Sequence, residues 1–187
     1  MKRFLIRAVA LGLFVLSLNQ AWAGVWLYTG SLALRERDFE SAFTFLEKAE
    51  KWDRGNPRVI YELGRISYAL GSKTNRSEWF ERAFVYFQAL VTQLPYYGKG
   101  WLYLGLSRFA LAKGSENRVD SKEWNDIKND FRKGVEQEPG NAWIAYMTGT
   151  YYLSQDKTLS PEEREWALNQ IKRALQIARP QKKSSNE

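Results

Sequence analysis

A glycine recurs along this chain in one setting, directly after Thr or Leu and four residues after an aromatic or aliphatic side chain. The instances are Trp26-x-x-Thr29-Gly30, Ile60-x-x-Leu63-Gly64, Trp101-x-x-Leu104-Gly105 and, with a small first residue, Ala145-x-x-Thr148-Gly149. Gly30 and Gly64 stand 34 residues apart. A second pattern of small, large apolar and small residues follows each: Ala42, Leu46, Ala49; Ala83, Phe87, Leu90; Ile127, Phe131, Gly134; and Ala167, Ile171, Ala174. Pro95, Pro139 and Pro180 lie just beyond the last three, where they would stop a helix. Small residues at fixed offsets let two helices touch while large ones fill the space between them. Every apolar segment repeats at helical spacing and none alternates, which predicts an all-helical body.

Over residues 24–180 these patterns resemble the tetratricopeptide repeat (TPR) family, whose period is the same. The resemblance implies an all-α, right-handed superhelical solenoid of about four antiparallel helix pairs, each pair leaving an apolar face for the next to cover. Three stretches depart from the pattern: residues 71–77, 113–122 and 155–160, rich in Gly, Ser, Asn, Asp and Lys, read as lengthened surface turns. Arg54 replaces the proline of the first repeat and Ala145 the first aromatic of the fourth. Ser160-Pro161-Glu162-Glu163 is a strong helix start, with a capping serine, proline in the first turn and acids beside the helix N-terminus.

Ahead of the repeats, residues 1–7 are basic, 8–18 apolar, and Ala21-Trp22-Ala23 forms an A-x-A triplet before Gly24. This is the order of a secretory signal peptide cut after Ala23. A second apolar stretch over residues 25–34 admits the alternative of an uncleaved membrane anchor. Both readings place the body outside the cytoplasm, since the basic residues mark the end that stays inside. The expected organisation is a leader or anchor over residues 1–23, a repeat domain over 24–180 and a polar tail over 181–187. The expected location is the periplasm, free or held at the inner membrane.

The chain has 187 residues, 44% of them hydrophobic and 15% aromatic, enough for a sizeable core. Its formal net charge is +7, but Lys2, Arg3 and Arg7 supply three of those charges, so the body is only mildly basic. It contains no histidine and no cysteine. That removes the commonest general base, the thiol nucleophile, disulfides and most transition-metal ligation. Two acidic clusters, Asp120 with Glu123, Asp126 and Asp130, and Glu162 with Glu163 and Glu165, fall near expected helix starts and read as acids stabilising helix N-termini. They lack the spacing of a calcium loop, and no phosphate loop or nucleophile elbow appears. Neither an enzyme nor a cofactor is expected, and nucleic acid is an unexpected partner for an exported body without a basic run.

Trp26, Trp101, Phe87 and Phe131 fall at repeat positions that pack between helices and read as core. The resemblance places a different set on the concave groove: Arg58, Tyr61, Arg65, Tyr68, Tyr96, Tyr97, Lys99, Leu102, Leu106, Trp143 and Tyr146. An aromatic and aliphatic floor with basic edges suits a protein or peptide partner with apolar anchors and acidic flanks. The Lys and Asn pairs of the family's carboxylate clamp are not matched. The expected function is an exported scaffold or adaptor in cell-envelope assembly or secretion. The alternative is a carbohydrate-binding or polysaccharide-processing accessory protein that stacks the same aromatics on sugar rings.

Overall fold

The computed structural model describes residues 2–114, 121–154 and 159–179. Among them it forms eight helices and no strand: α1 (Lys2–Arg35), α2 (Phe39–Trp52), α3 (Pro57–Thr74), α4 (Ser77–Gln93), α5 (Gly98–Gly114), α6 (Ser121–Gln137), α7 (Ala142–Leu153) and α8 (Pro161–Ala178). Consecutive helices pack in pairs, α1 with α2, α3 with α4, α5 with α6 and α7 with α8. The chain divides into two compact units, residues 1–93 and 94–187, each holding two pairs.

The recurring glycines sit where the pairs touch. A Cβ at Gly30 would fall 2.8 Å from Cγ of Leu46, one at Gly64 2.8 Å from Phe87, one at Gly105 2.8 Å from Phe131, and one at Gly149 2.7 Å from Ile171. Each first helix of a pair thus offers a hole, and the large apolar residue of the second helix fills it. Leu46, Phe87 and Phe131 are fully buried as a result. In the first unit α2 also packs on α3, and Leu27, Phe43, Leu46, Leu63, Ile66 and Leu70 share one core. In the second, Tyr152 is buried against Trp166 at 4.9 Å and donates its hydroxyl to the carbonyl of Lys128 at 3.1 Å. Burial pushes the phenol pKa of Tyr152 up to about 12.

Helix ends follow local chemistry. Asn56 and Asn141 cap α3 and α7, accepting from the N–H groups of Arg58 and of Trp143 and Ile144. Ser160 and Glu163 form the reciprocal capping box at α8, at 3.2 and 3.1 Å. Gly55, at φ 79°, gives the turn between α2 and α3 the left-handed backbone that the first repeat's missing proline would not have supplied.

One expectation about the turns needs correction. Residues 71–77 are not a long turn: α3 continues through Thr74, Asn75 ends it in the left-handed region (φ 54°), and α4 starts at Ser77. The turns expected over 113–122 and 155–160 lie largely outside the described residues, as do the polar tail and Asp120, although α5 runs through Gly114 and α6 begins at Ser121. The position expected as the leader boundary, Ala23, lies within α1 and is buried.

Candidate partner-binding surface

On α3, residues 58, 61, 65 and 68 recur at intervals of three and four, so they share one face. Arg58 is exposed, while Tyr61, Arg65 and Tyr68 are half-buried. Both tyrosine rings are held edge-on by α4, Tyr61 against Phe87 with centroids 6.3 Å apart and Tyr68 against Phe80 at 5.6 Å. Arg65 donates to Glu62 at 2.9 Å, and its guanidinium lies 5.5 Å from the Tyr61 ring centre. This face is amphipathic, with rings packed against α4 and cationic groups beside them.

The second unit carries the other expected residues in a less uniform arrangement. Tyr96 is 67% exposed, Tyr146 48% and Trp143 40%; Trp143 leans on Tyr103 at 5.6 Å. Tyr97 and Lys99 are half-buried, and the backbone N–H of Lys99 donates to Glu138 at 3.2 Å. Leu102 and Leu106, expected on the groove floor, are fully buried instead. Their offsets from Gly105 match those of Tyr61 and Arg65 from Gly64, but as short apolar side chains they pack into the core of their own unit.

Two of the expected core residues also differ. Phe87 and Phe131 are core, but Trp26 and Trp101 are half-buried beneath lysines, Lys48 at 4.6 Å and Lys133 at 4.2 Å from the ring centres. In both repeats the lysine stands two residues after the large residue that fills the glycine hole, a pairing visible in the sequence once that register is known.

The acidic cluster of α6 does more than begin a helix. Asp130 is 4% exposed and accepts from Arg108 of α5 at 3.1 Å, with Asp126 4.0 Å from the same guanidinium. Desolvation raises the Asp130 pKa to about 6, although Arg108 pulls the other way. Glu163 bridges to Lys128 at 2.7 Å. Burial raises its pKa, but hydrogen bonds from Lys128 and the Ser160 N–H carry it below the ordinary value. These acids are occupied in joining helices, and among the described residues no group of three His, Cys, Asp or Glu side chains could hold a metal ion.

One cavity of the first unit was not anticipated. It lies between α1 and α3, has a volume of about 310 Å³, and is walled by Leu27, Tyr28, Ser31 and Leu32, with Arg35 and Arg58 also lining it. Gly24, Leu27 and Ser31 stand at the same offsets from Gly30 as Arg58, Tyr61 and Arg65 from Gly64. Carrying the α3 register back one repeat would have found them.

Eight helices in glycine-keyed pairs define a TPR-like helical-repeat protein. No family model and no curated protein matches the chain. Among solved structures it is similar to TTC0263, a thermophilic TPR protein of Thermus thermophilus, with 22% identity, a TM-score of 0.69, and coverage of 83% of this chain and 74% of that one. It is similar to MamA at 17% identity and a TM-score of 0.60, covering 83% and 77%. The first TPR of Spaghetti (RPAP3), solved with the HSP90 peptide SRMEEVD bound, is 18% identical with a TM-score of 0.54, covering 84% and 93%. At these identities the likeness is one of fold.

Proposed function

We propose that this protein is an exported, membrane-anchored scaffold that binds a protein or peptide partner through the first helices of its pairs and serves cell-envelope assembly or secretion. The observation that carries the reading is the α3 face, where Tyr61 and Tyr68 are held against Phe87 and Phe80 and alternate with Arg58 and Arg65. Rings already ordered lose little entropy on binding, and aromatic and arginine side chains dominate interface energies. A peptide-bound TPR among the similar structures supports the same use of the fold.

Anchoring is supported by α1. Val9, Leu11, Leu13, Phe14, Val15 and Leu18 are all exposed, and near-consecutive positions cover every side of a helix. The helix over Leu11–Arg35 is long and apolar enough to cross a membrane, and no acid occurs before Glu36. Retention of the segment is part of the proposal, since α1 runs without a break from the apolar leader into the first repeat.

Pull-down from envelope extracts with wild type and a Tyr61→Ala/Tyr68→Ala variant tests the reading. A protein retained by wild type and lost from the variant, with an unchanged melt, is expected; equal retention by both would contradict it. Exposed Trp143 and Tyr146 favour a second reading as a polysaccharide accessory protein. Retention on cell-wall resin, lost on Trp143→Ala, would support that alternative.

A further inference from the structure

The first helix pair gathers aromatic and basic side chains at one level of α1, and that level coincides with the end of a membrane crossing. The hydrocarbon core takes ~20 helical residues, so a span counted from residue 8, the first after the basic start of the leader, ends at about residue 27. Trp26 lies at that depth, stacked on Phe45 of α2 at 5.8 Å, with the Lys48 ammonium 4.6 Å from its ring centre. The two helices run antiparallel, so one turn further along each brings Trp52 of α2 level with Trp22 of α1. Both rings stand in the open, Trp22 at 51% and Trp52 at 46% exposed. Lys51 is exposed beside Trp52, and Arg58, at the start of α3, lines the hollow that Gly24 and Tyr28 also line. The acids of the same stretch are turned elsewhere. Glu47 lines a separate hollow with Glu81 and Tyr86 of α4, Glu50 lies near the same phenol, and Asp53 accepts from Asn56 at 2.7 Å.

We propose that the end of α2 and the start of α3 rest on the bilayer that α1 crosses, with Trp52 at the boundary of headgroups and acyl chains and Lys48, Lys51 and Arg58 on the phosphates of anionic phospholipid. The inference rests on the anchored reading and adds to it a lipid-binding surface outside the span and a fixed depth for the first unit. Tryptophan suits that boundary because its ring is apolar while its N–H needs a hydrogen-bond partner, and long cationic side chains reach from there to the headgroups. Basic groups at this level are attracted to an anionic leaflet within a Debye length. The headgroup layer is roughly 5–7 Å deep on each side, about one helical turn, which matches the rise from Trp22 to Trp26 and from Trp52 back to Lys48. A second protein is the competing cover for an exposed tryptophan, but the unbroken helix α1 already carries Trp52 to the membrane edge.

The chain has no cysteine, so single introduced cysteines report depth without background. Full-length protein in vesicles of phosphatidylcholine and phosphatidylglycerol carries a fluorophore at Arg54→Cys, exposed in the turn after Trp52, at Ser72→Cys, or at Leu13→Cys, and nitroxide lipids quench it from the headgroup or from deep in the acyl chains. Ser72 is the control because it is exposed and lies about 20 Å further along α3 than Arg58 at the helical rise. Headgroup quenching at 54 and none at 72 is expected. Equal quenching at the two positions overturns the inference, while deep quenching at 13 keeps the anchored reading standing; a label at 13 that deep nitroxides do not reach contradicts anchoring, and the inference falls with it. Native mass spectrometry of protein taken from the same vesicles should show phosphatidylglycerol carried in preference to phosphatidylcholine, and loss of that preference in a Lys48→Gln/Lys51→Gln/Arg58→Gln variant. A preference unchanged in the variant assigns the anionic lipid to the basic leader and overturns the headgroup contacts.

Discussion

The position a Cβ would take at Gly64 lies 2.8 Å from Cζ of Phe87, and Phe87 is fully buried, so the ring has nowhere to retreat. Gly105 stands in the same relation to Phe131. Gly64→Ala and Gly105→Ala should therefore each cost about 1–3 kcal/mol despite the better helix propensity of alanine. Gly140, whose added Cβ meets nothing within 4 Å, is the control, and Gly140→Ala should stay within roughly 0.5 kcal/mol. Urea midpoints of the three variants check this, and equal midpoints for all would show that the glycines do not key the pairs.

Asp130 makes stability depend on pH in a direction opposite to most carboxylates. Burial lifts its folded-state pKa to about 6, above the unfolded value, so the folded chain holds this proton more tightly. Its contribution is fully present below about pH 4 and is lost as pH rises through about 6. Glu163 and Asp38, with lowered pKa values, act in the opposite sense. The useful quantity is thus the difference between wild type and Asp130→Asn in midpoint change from pH 4.5 to 7.5. Wild type should lose more stability, or gain less, than the variant over that interval; identical changes would remove Asp130 from the account.

The glycine register was legible because it records a contact repeated in every pair, and a repeated contact leaves a repeated spacing. The faces of single residues were less so. Leu102 and Leu106 share the offsets of Tyr61 and Arg65 but are buried, since offset fixes direction along a helix and neighbours decide exposure. Asp130 read as a helix-start acid because clustering in sequence does not reveal Arg108, its partner on another helix. The α1–α3 cavity was missed because residues 24–35 were read only as the start of the repeats. Their continuity with the apolar leader in one helix became visible only in the structure.

Retention of α1 predicts a full-length protein in the membrane fraction after carbonate washing, with an intact mass that includes residues 1–23. A reporter fused to the C-terminus should be active only outside the cytoplasm. A mature chain beginning at Gly24 would show that the leader is removed, and a reporter active inside the cell would contradict export itself.

The central claim, partner binding through the first helices of the pairs, is tested most directly by photocrosslinking in intact cells. A photoreactive phenylalanine analogue placed at Tyr68, on the α3 face, is compared with the same residue at Gln88, exposed on α4. The account predicts a discrete protein adduct from position 68 that is absent at 88 and is lost when Tyr61→Ala and Arg65→Glu are added. The same adduct from both positions, or none from position 68 while position 88 captures a protein, would contradict it.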